Sequence, residues 1–366
     1  MDSILGQLHT LVPRADNAGR YRILDGIREL QLQLETPHDT LSRLSGLHLE
    51  LAVARIGADL GVFKILKESE QPLSTMALSE ATNAAPLNTH IANGWCVGRL
   101  LRYLASVGMI REVARDSFAA NAITKTLAQS GYEGGIRHFF DNVGPVLQAF
   151  PEFLSETKYQ DAFSTDLPAF MWLPTQLERF PPLQQVMTVQ GASGVPWFFV
   201  FPFEKELGSF TGAHTFVDVG GGFALHGKIV LEDLPQTFEQ LPFKLDGIEP
   251  KPHNFFEAQP IKGARFYYLR NILHDWPDEK CVAILYQLIN ASRPDSQILI
   301  DEMVLPDGGV SWEATTIDLT LMATFGSRER TTAQWHALLD TAGLKVLRID
   351  TYHDRRRDSI IQAIAK

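Results

Sequence analysis

Cysteine is scarce in this chain. Only Cys96 and Cys281 occur among 366 residues, far apart and matching neither a metal-ligand spacing nor a disulfide framework. A reducing compartment is the simpler inference, and a cytoplasmic location is expected. Long apolar runs are missing as well. No stretch approaches the roughly 18 uninterrupted apolar residues of a membrane span, and Met1-Asp2-Ser3 opens no basic region followed by an apolar core. Positive charge is the third shortage: 33 Lys and Arg face 43 Asp and Glu, a net charge of −10. That balance argues against a partner bound through phosphates, so neither nucleic acid nor membrane is expected.

What remains is a chain with 45% hydrophobic residues, ample for sizeable cores, and a length that favours two or three domains. Residues 1–130 read as mainly helical. Ile23, Ile27, Leu30 and Leu34, then Leu44, Leu47, Leu51 and Ala54, recur every three or four positions, so each helix has one face to bury. Helical signals at 76–81 and 99–104 lead into a short strand pair at 109–118, the helix, helix, helix, hairpin order of a winged helix. In so acidic a chain a dimerisation module fits that order better than a DNA reader, and Arg99 and Arg102 read as surface residues. Residues 87–96 read as an insertion ahead of the helix that starts near Val97.

Residues 131–210 are rich in aromatics and proline and read as a connecting and substrate-pocket segment, with a minority of the rings lining an apolar pocket. From residue 211 onward strands and helices alternate. Strands are expected at 215–219, 228–231, 264–269, 297–300, 344–351 and 359–364, with helices at 278–291 and 331–342. This predicts a mostly parallel sheet whose last two strands form an antiparallel hairpin through the polar segment 353–358. Thr331 and Gln334 make a capping box for a helix whose apolar face is Trp335, Leu338, Leu339 and Ala342.

Two clusters carry chemistry. The strand Phe216-Val217-Asp218-Val219 runs into Gly220-Gly221-Gly222, and the next strand ends at Glu232-Asp233. Glycine there allows close backbone approach to a ligand, and an acid after the second strand accepts from ribose hydroxyls. Residues 220–228 between the strands are too few for an ordinary crossover helix, which takes about 10 to 12 residues. The second cluster is Arg270-Asn271-Ile272-Leu273-His274-Asp275-Trp276, just past a strand at the sheet's carboxyl edge. Asp301-Glu302 ends the following strand and Glu329 precedes the 331–342 helix, so two carboxylates can converge on His274. Carboxylates fix a histidine's tautomer and stabilise its protonated form, which suits a general base acting on a hydroxyl.

In order along the chain, the Phe216–Gly222 run, Leu231-Glu232-Asp233-Leu234-Pro235, His253-Asn254-Phe255-Phe256, Leu273-His274-Asp275-Trp276, Asp301-Glu302, Asp318 and Glu329-Arg330-Thr331 resemble the S-adenosylmethionine (SAM)-dependent O-methyltransferases of plants and fungi, the fungal secondary-metabolism branch above all. The resemblance covers the chain from about residue 40 to its end. It implies an α/β fold: a Rossmann-like SAM-binding domain at 211–366, truncated between its first two strands, preceded by a winged-helix dimerisation domain at 1–130. It implies His274 as general base flanked by Glu302 and Glu329. It also implies SAM held by Gly220, Gly222, Asp233, Leu234, Asn254, Phe255 and Arg270, with Trp276 beside the adenine. The family usually has a glycine where Ala224 stands and an acid where Asn254 stands. His138, Phe139, Trp172, Asp275, Asp318 and Met322 are expected at the substrate pocket, no metal is expected, and a homodimer is.

Methyl transfer to a hydroxyl of a small aromatic or polyketide-type metabolite is the leading reading. One alternative keeps the fold and changes the reaction, to a pericyclase or dehydratase in which a polar His or Arg, such as His138, stabilises a polarised transition state. The other is a catalytically inactive dimerising homologue, to which the short 220–228 connection points.

Overall fold

The computed structural model describes residues 6–7, 10–82, 95–156, 178, 180–187, 196–208, 210–221, 229–239 and 248–366. Trp172, Gly222, Ala224 and residues 87–94 of the apparent insertion lie outside the described residues. By its contacts the chain divides into two compact units, Met1–Gly144 with Glu178–Val189, and Pro145–Leu177 with Gln190–Lys366.

In the first unit, the helix Asn17–Leu34 is capped by Asp16, whose side chain accepts from Gly19 N. A capping box at Thr36 and Asp39 then starts the helix Pro37–Asp59. The helices Val62–Glu68, Thr75–Ala81 and Trp95–Ser106 follow. They share a core with a small antiparallel sheet of β1 (Leu73–Ser74), β2 (Arg111–Ala114) and β3 (Ser117–Ala119), in the order β1-β3-β2. Phe63, Leu66, Leu78, Leu101, Leu104, Ile110 and Phe118 fill that core, each burial contributing roughly 1.5–3 kcal/mol. The expected helix and hairpin order is therefore present. The apolar stripe of the Asn17–Leu34 helix behaves differently, since none of its residues is buried within the chain. Leu30 and Leu34 are 57% and 80% exposed.

The second unit is built on an eight-stranded sheet. Its strands are β4 (Phe216–Val219), β5 (Ile229–Asp233), β6 (Ile248–Pro252), β7 (Phe266–Arg270), β8 (Gln297–Leu305), β9 (Arg330–Thr331), β10 (Leu344–His353) and β11 (Asp358–Ala365). The main order is β10-β11-β8-β7-β4-β5-β6, with β9 beside β8. Strands β4 to β8 pair in parallel, while β11 runs antiparallel to both β8 and β10. Every residue of β8 is buried, as a central strand covered on both faces requires. The helix Asp278–Ala291 buries Cys281, Ile284, Leu285 and Leu288, at spacings of one and of three or four residues, in the core that also takes Trp335, Leu338 and Leu339 from the helix Thr332–Thr341. Trp197 stacks on Tyr268 at 4.7 Å between ring centroids, so this ring of the aromatic segment is core.

The chain runs outward through β4, β5 and β6, then returns to β7 on the other side of β4. The carboxyl ends of β4 and β7 thus flank the point where the strand order reverses, the place where open parallel sheets bind ligands.

Candidate active site

After β4, Gly220 turns with φ +71°, a conformation that disfavours any side chain, and a Cβ there would lie 2.8 Å from Ile272 Cδ1. The amides of Gly220 and Gly221 both donate to Glu232 O, at 2.7 and 3.2 Å. The tight turn therefore points these two N–H groups inward, and what it offers a ligand is close approach to the backbone. Beneath it lies Asp218, buried, with no hydrogen-bond partner for Oδ1 among the described residues. Burial, reinforced by Asp233, pushes the Asp218 carboxyl up to about 7. Burial likewise pushes Glu232 up to about 7, opposed by the hydrogen bond from Gln259 Nε2. At the end of β5, Asp233 Oδ1 accepts from Leu234 N at 2.6 Å and from Thr237 Oγ1 at 2.9 Å. Asn254 Oδ1 accepts from Phe256 N at 3.1 Å, so this amide shapes its own loop. Phe255 and Phe256 meet Trp276 edge-on, at 6.0 and 4.9 Å between centroids. Arg270 Nε lies 3.5 Å from Asp301 Oδ2, and Asp301 also accepts from the hydroxyls of Tyr268 and Tyr352. A tight glycine turn, a buried carboxylate with one oxygen unpartnered among the described residues, a second carboxylate on β5 and an aromatic wall fit a cationic ligand that carries a ribose.

The carboxyl end of β7 continues into a short 3-10 turn, Leu273–Asp275, that carries His274. His274 Nδ1 lies 2.9 Å from Glu329 Oε1 and 3.6 Å from Glu302 Oε2, and Nε2 lies 3.6 Å from Asp275 Oδ1. The expected convergence on His274 is present, with the two glutamates in different roles. Glu329 holds the ring by a direct hydrogen bond. Glu302 Oε1 instead accepts the amides of Ile272, Leu273 and His274 at 3.0, 2.8 and 3.3 Å. Burial alone would lower the imidazole pKa, but the charges of Glu302, Asp275 and Glu329 outweigh it and hold His274 well above its ordinary value. Burial raises Asp275 and Glu302 to about 7 each, with the His274 charge opposing.

Residues 205–345 match the O-methyltransferase domain family. Demethylsterigmatocystin 6-O-methyltransferase of Aspergillus flavus is 38% identical over 391 aligned positions, covering all of this chain and 98% of that protein. The chain belongs to the O-methyltransferase family, in its fungal secondary-metabolism branch. A solved structure of LepI in complex with SAM superposes with a TM-score of 0.90 at 37% identity, covering all of this chain and 98% of LepI. A structure described as a pericyclic reaction enzyme matches with a TM-score of 0.89 at 37% identity, covering all of this chain and 99% of that one.

Within this O-methyltransferase, Asp318 sits on the helix Trp312–Phe325 and accepts Glu329 N at 2.8 Å, so it supports the histidine's partner from behind. Met322 is half-buried on the same helix. His138 and Phe139 belong to the first unit. His138 opens a π-helical turn, His138–Val143, with Nδ1 3.0 Å from Asn142 Nδ2, and burial lowers its pKa to about 4. Leu234 is 41% exposed. Sequence reading gave no role to Asp218, whose Oδ1 has no partner among the described residues, to Ser327, whose hydroxyl donates to His274 O, or to Arg330. Asp218 and Arg330 stand within the motif runs, and Ser327 lies two residues before Glu329.

Proposed function

We propose that this chain transfers a methyl group from SAM to a hydroxyl of a small aromatic or polyketide-type metabolite, with His274 as the general base. The observation that carries this reading is the His274–Glu329 hydrogen bond. It occupies Nδ1 and leaves Nε2, which has no direct hydrogen bond among the described residues, for the acceptor hydroxyl. Nε2 takes the hydroxyl proton, and the imidazolium so formed is stabilised by Glu302, Asp275 and Glu329. When bound, SAM supplies a methyl group on a sulfonium, which passes to the oxygen by in-line displacement and leaves S-adenosylhomocysteine. Gly220, Asp218, Asp233, Asn254, Phe255 and Arg270 would hold the cofactor, and aligning the acceptor oxygen with its methyl group would be the other main source of rate. The test is label transfer from methyl-labelled SAM to demethylsterigmatocystin, used as a probe acceptor because a relative is named for it.

A second reading is favoured by one comparison, the 37% identical structure described as a pericyclic reaction enzyme. Under it the same pocket would convert a substrate to an isomer of equal mass. Product mass separates the two.

The partner that fits the first unit is a second copy. Leu30, Leu34, Leu44 and Leu47 are each more than half exposed on the helices Asn17–Leu34 and Pro37–Asp59. An apolar helical stripe of that length is stable in water when another helix covers it. Light scattering of the full chain should give twice the monomer mass, and Leu30→Glu with Leu34→Glu should shift it to the monomer. A wild-type monomer at micromolar concentration would contradict the pairing.

A further inference from the structure

The turn that presents His274 is gripped from both sides. Its amides at Ile272, Leu273 and His274 converge on Glu302 Oε1. Its carbonyls are held by Arg330, with Nη1 donating to Leu273 O and Nη2 to Trp276 O, each at 2.9 Å. The Cys281 thiol, pushed up to about 12 by burial and so kept protonated, places its Sγ 3.1 and 3.3 Å from the same two carbonyl oxygens, both within reach of its single S–H. Ser327 Oγ donates to the carbonyl of His274 itself. Two residues before the turn Asn271 has φ +51°, a left-handed conformation that asparagine adopts more readily than other non-glycine residues.

Arg330 is 1% exposed, and burying a guanidinium is costly unless its donors are paired. Here Nε and Nη2 also reach Asp278 Oδ1, at 3.0 and 2.8 Å, and the group lies over the Trp335 ring at 5.2 Å. Its backbone is fixed in β9 opposite Val304 of β8. A planar fork is required, because one nitrogen must meet Leu273 O while another meets Trp276 O, and lysine has no such geometry.

We propose that Arg330 is a positioning residue for the methyl-transfer base: by gripping the carbonyls on either side of His274 and Asp275 it fixes the direction in which Nε2 points. This rests on the assignment of His274 as the base. Arg330 is 1% exposed and acts through the turn.

The test is Arg330→Lys in the full-length protein, which keeps the charge beside Glu302 and removes the fork. SAM affinity should stay within about threefold of wild type. Single-turnover methyl transfer to demethylsterigmatocystin should fall by at least about tenfold, as expected when a reacting group is misplaced by a fraction of an ångström. The His274 imidazole, followed by side-chain 15N NMR, should titrate closer to its ordinary range, because a released ring moves away from Glu302, Glu329 and Asp275. An R330K protein that binds SAM and keeps the wild-type His274 titration overturns the proposal. Should R330K fail to fold, Asp278→Asn loosens the outer anchor of the same guanidinium at a half-exposed site. A His274 shift in the same direction then supports the clamp, and an unchanged titration refutes it. The imidazole signal reports the grip without turnover, so absence of methyl transfer in the wild type counts against the base and leaves the clamp to be judged by NMR.

Discussion

Carboxylates on both sides of the His274 ring hold its pKa well above the ordinary histidine value. His274, Asp275 and Glu302 are close enough to titrate as one group. Turnover should therefore rise with pH as the imidazole loses its proton, with the acid limb above the ordinary histidine range. Glu329→Gln keeps a hydrogen-bond acceptor for Nδ1 and removes a negative charge that raises the imidazole pKa. The acid limb of the kcat/KM profile should then move to lower pH; a limb that stays in place or moves upward would show that Glu329 does not set the base. His274 and Glu329 were legible in the sequence because one follows the carboxyl end of β7 and the other precedes a capped helix; Glu302, read as the end of its strand, lies within β8, which continues to Leu305. Arg330 was not. Its role depends on carbonyls 57 and 54 residues away in the chain, and an arginine next to a helix cap looks like any other.

Among the elements, the β4–β5 pair is the unusual one. The two strands pair in parallel, Val217 with Val230 and Val219 with Glu232, across a connection of only residues 220–228. Chain reversal begins at once at Gly220. Gly220→Ala should cost about 1–3 kcal/mol in stability through the positive φ, since the Ile272 methyl that a Cβ would meet can turn aside. It should also weaken SAM binding. A chemical-denaturation midpoint equal to wild type would contradict the strained turn. Strand periodicity located β4, β5, β7, β8, β10 and β11 to within a few residues, and the capping box fixed the start of the Thr332–Thr341 helix. Strand β6, Ile248–Pro252, escaped notice because its two prolines read as loop; they are tolerated because β6 lies at the sheet edge. The helix Trp312–Phe325 also escaped, as its apolar residues do not keep to one face.

At the scale of the molecule, no described helix is long and apolar enough to cross a membrane. The second unit brings a cofactor-type turn at β4 and a basic histidine at β7 to the same edge of one sheet, on either side of the strand-order switch. That adjacency supports coupling proton removal to methyl transfer. It is tested most directly by one measurement: single-turnover reaction of the wild type and His274→Ala with methyl-labelled SAM and demethylsterigmatocystin, read by product mass. The wild type should give a labelled product one methyl group heavier. The variant should show a rate lower by about 10² to 10⁴, with SAM affinity retained. An unlabelled isomer of the acceptor, or a His274→Ala protein as fast as wild type, would contradict that coupling.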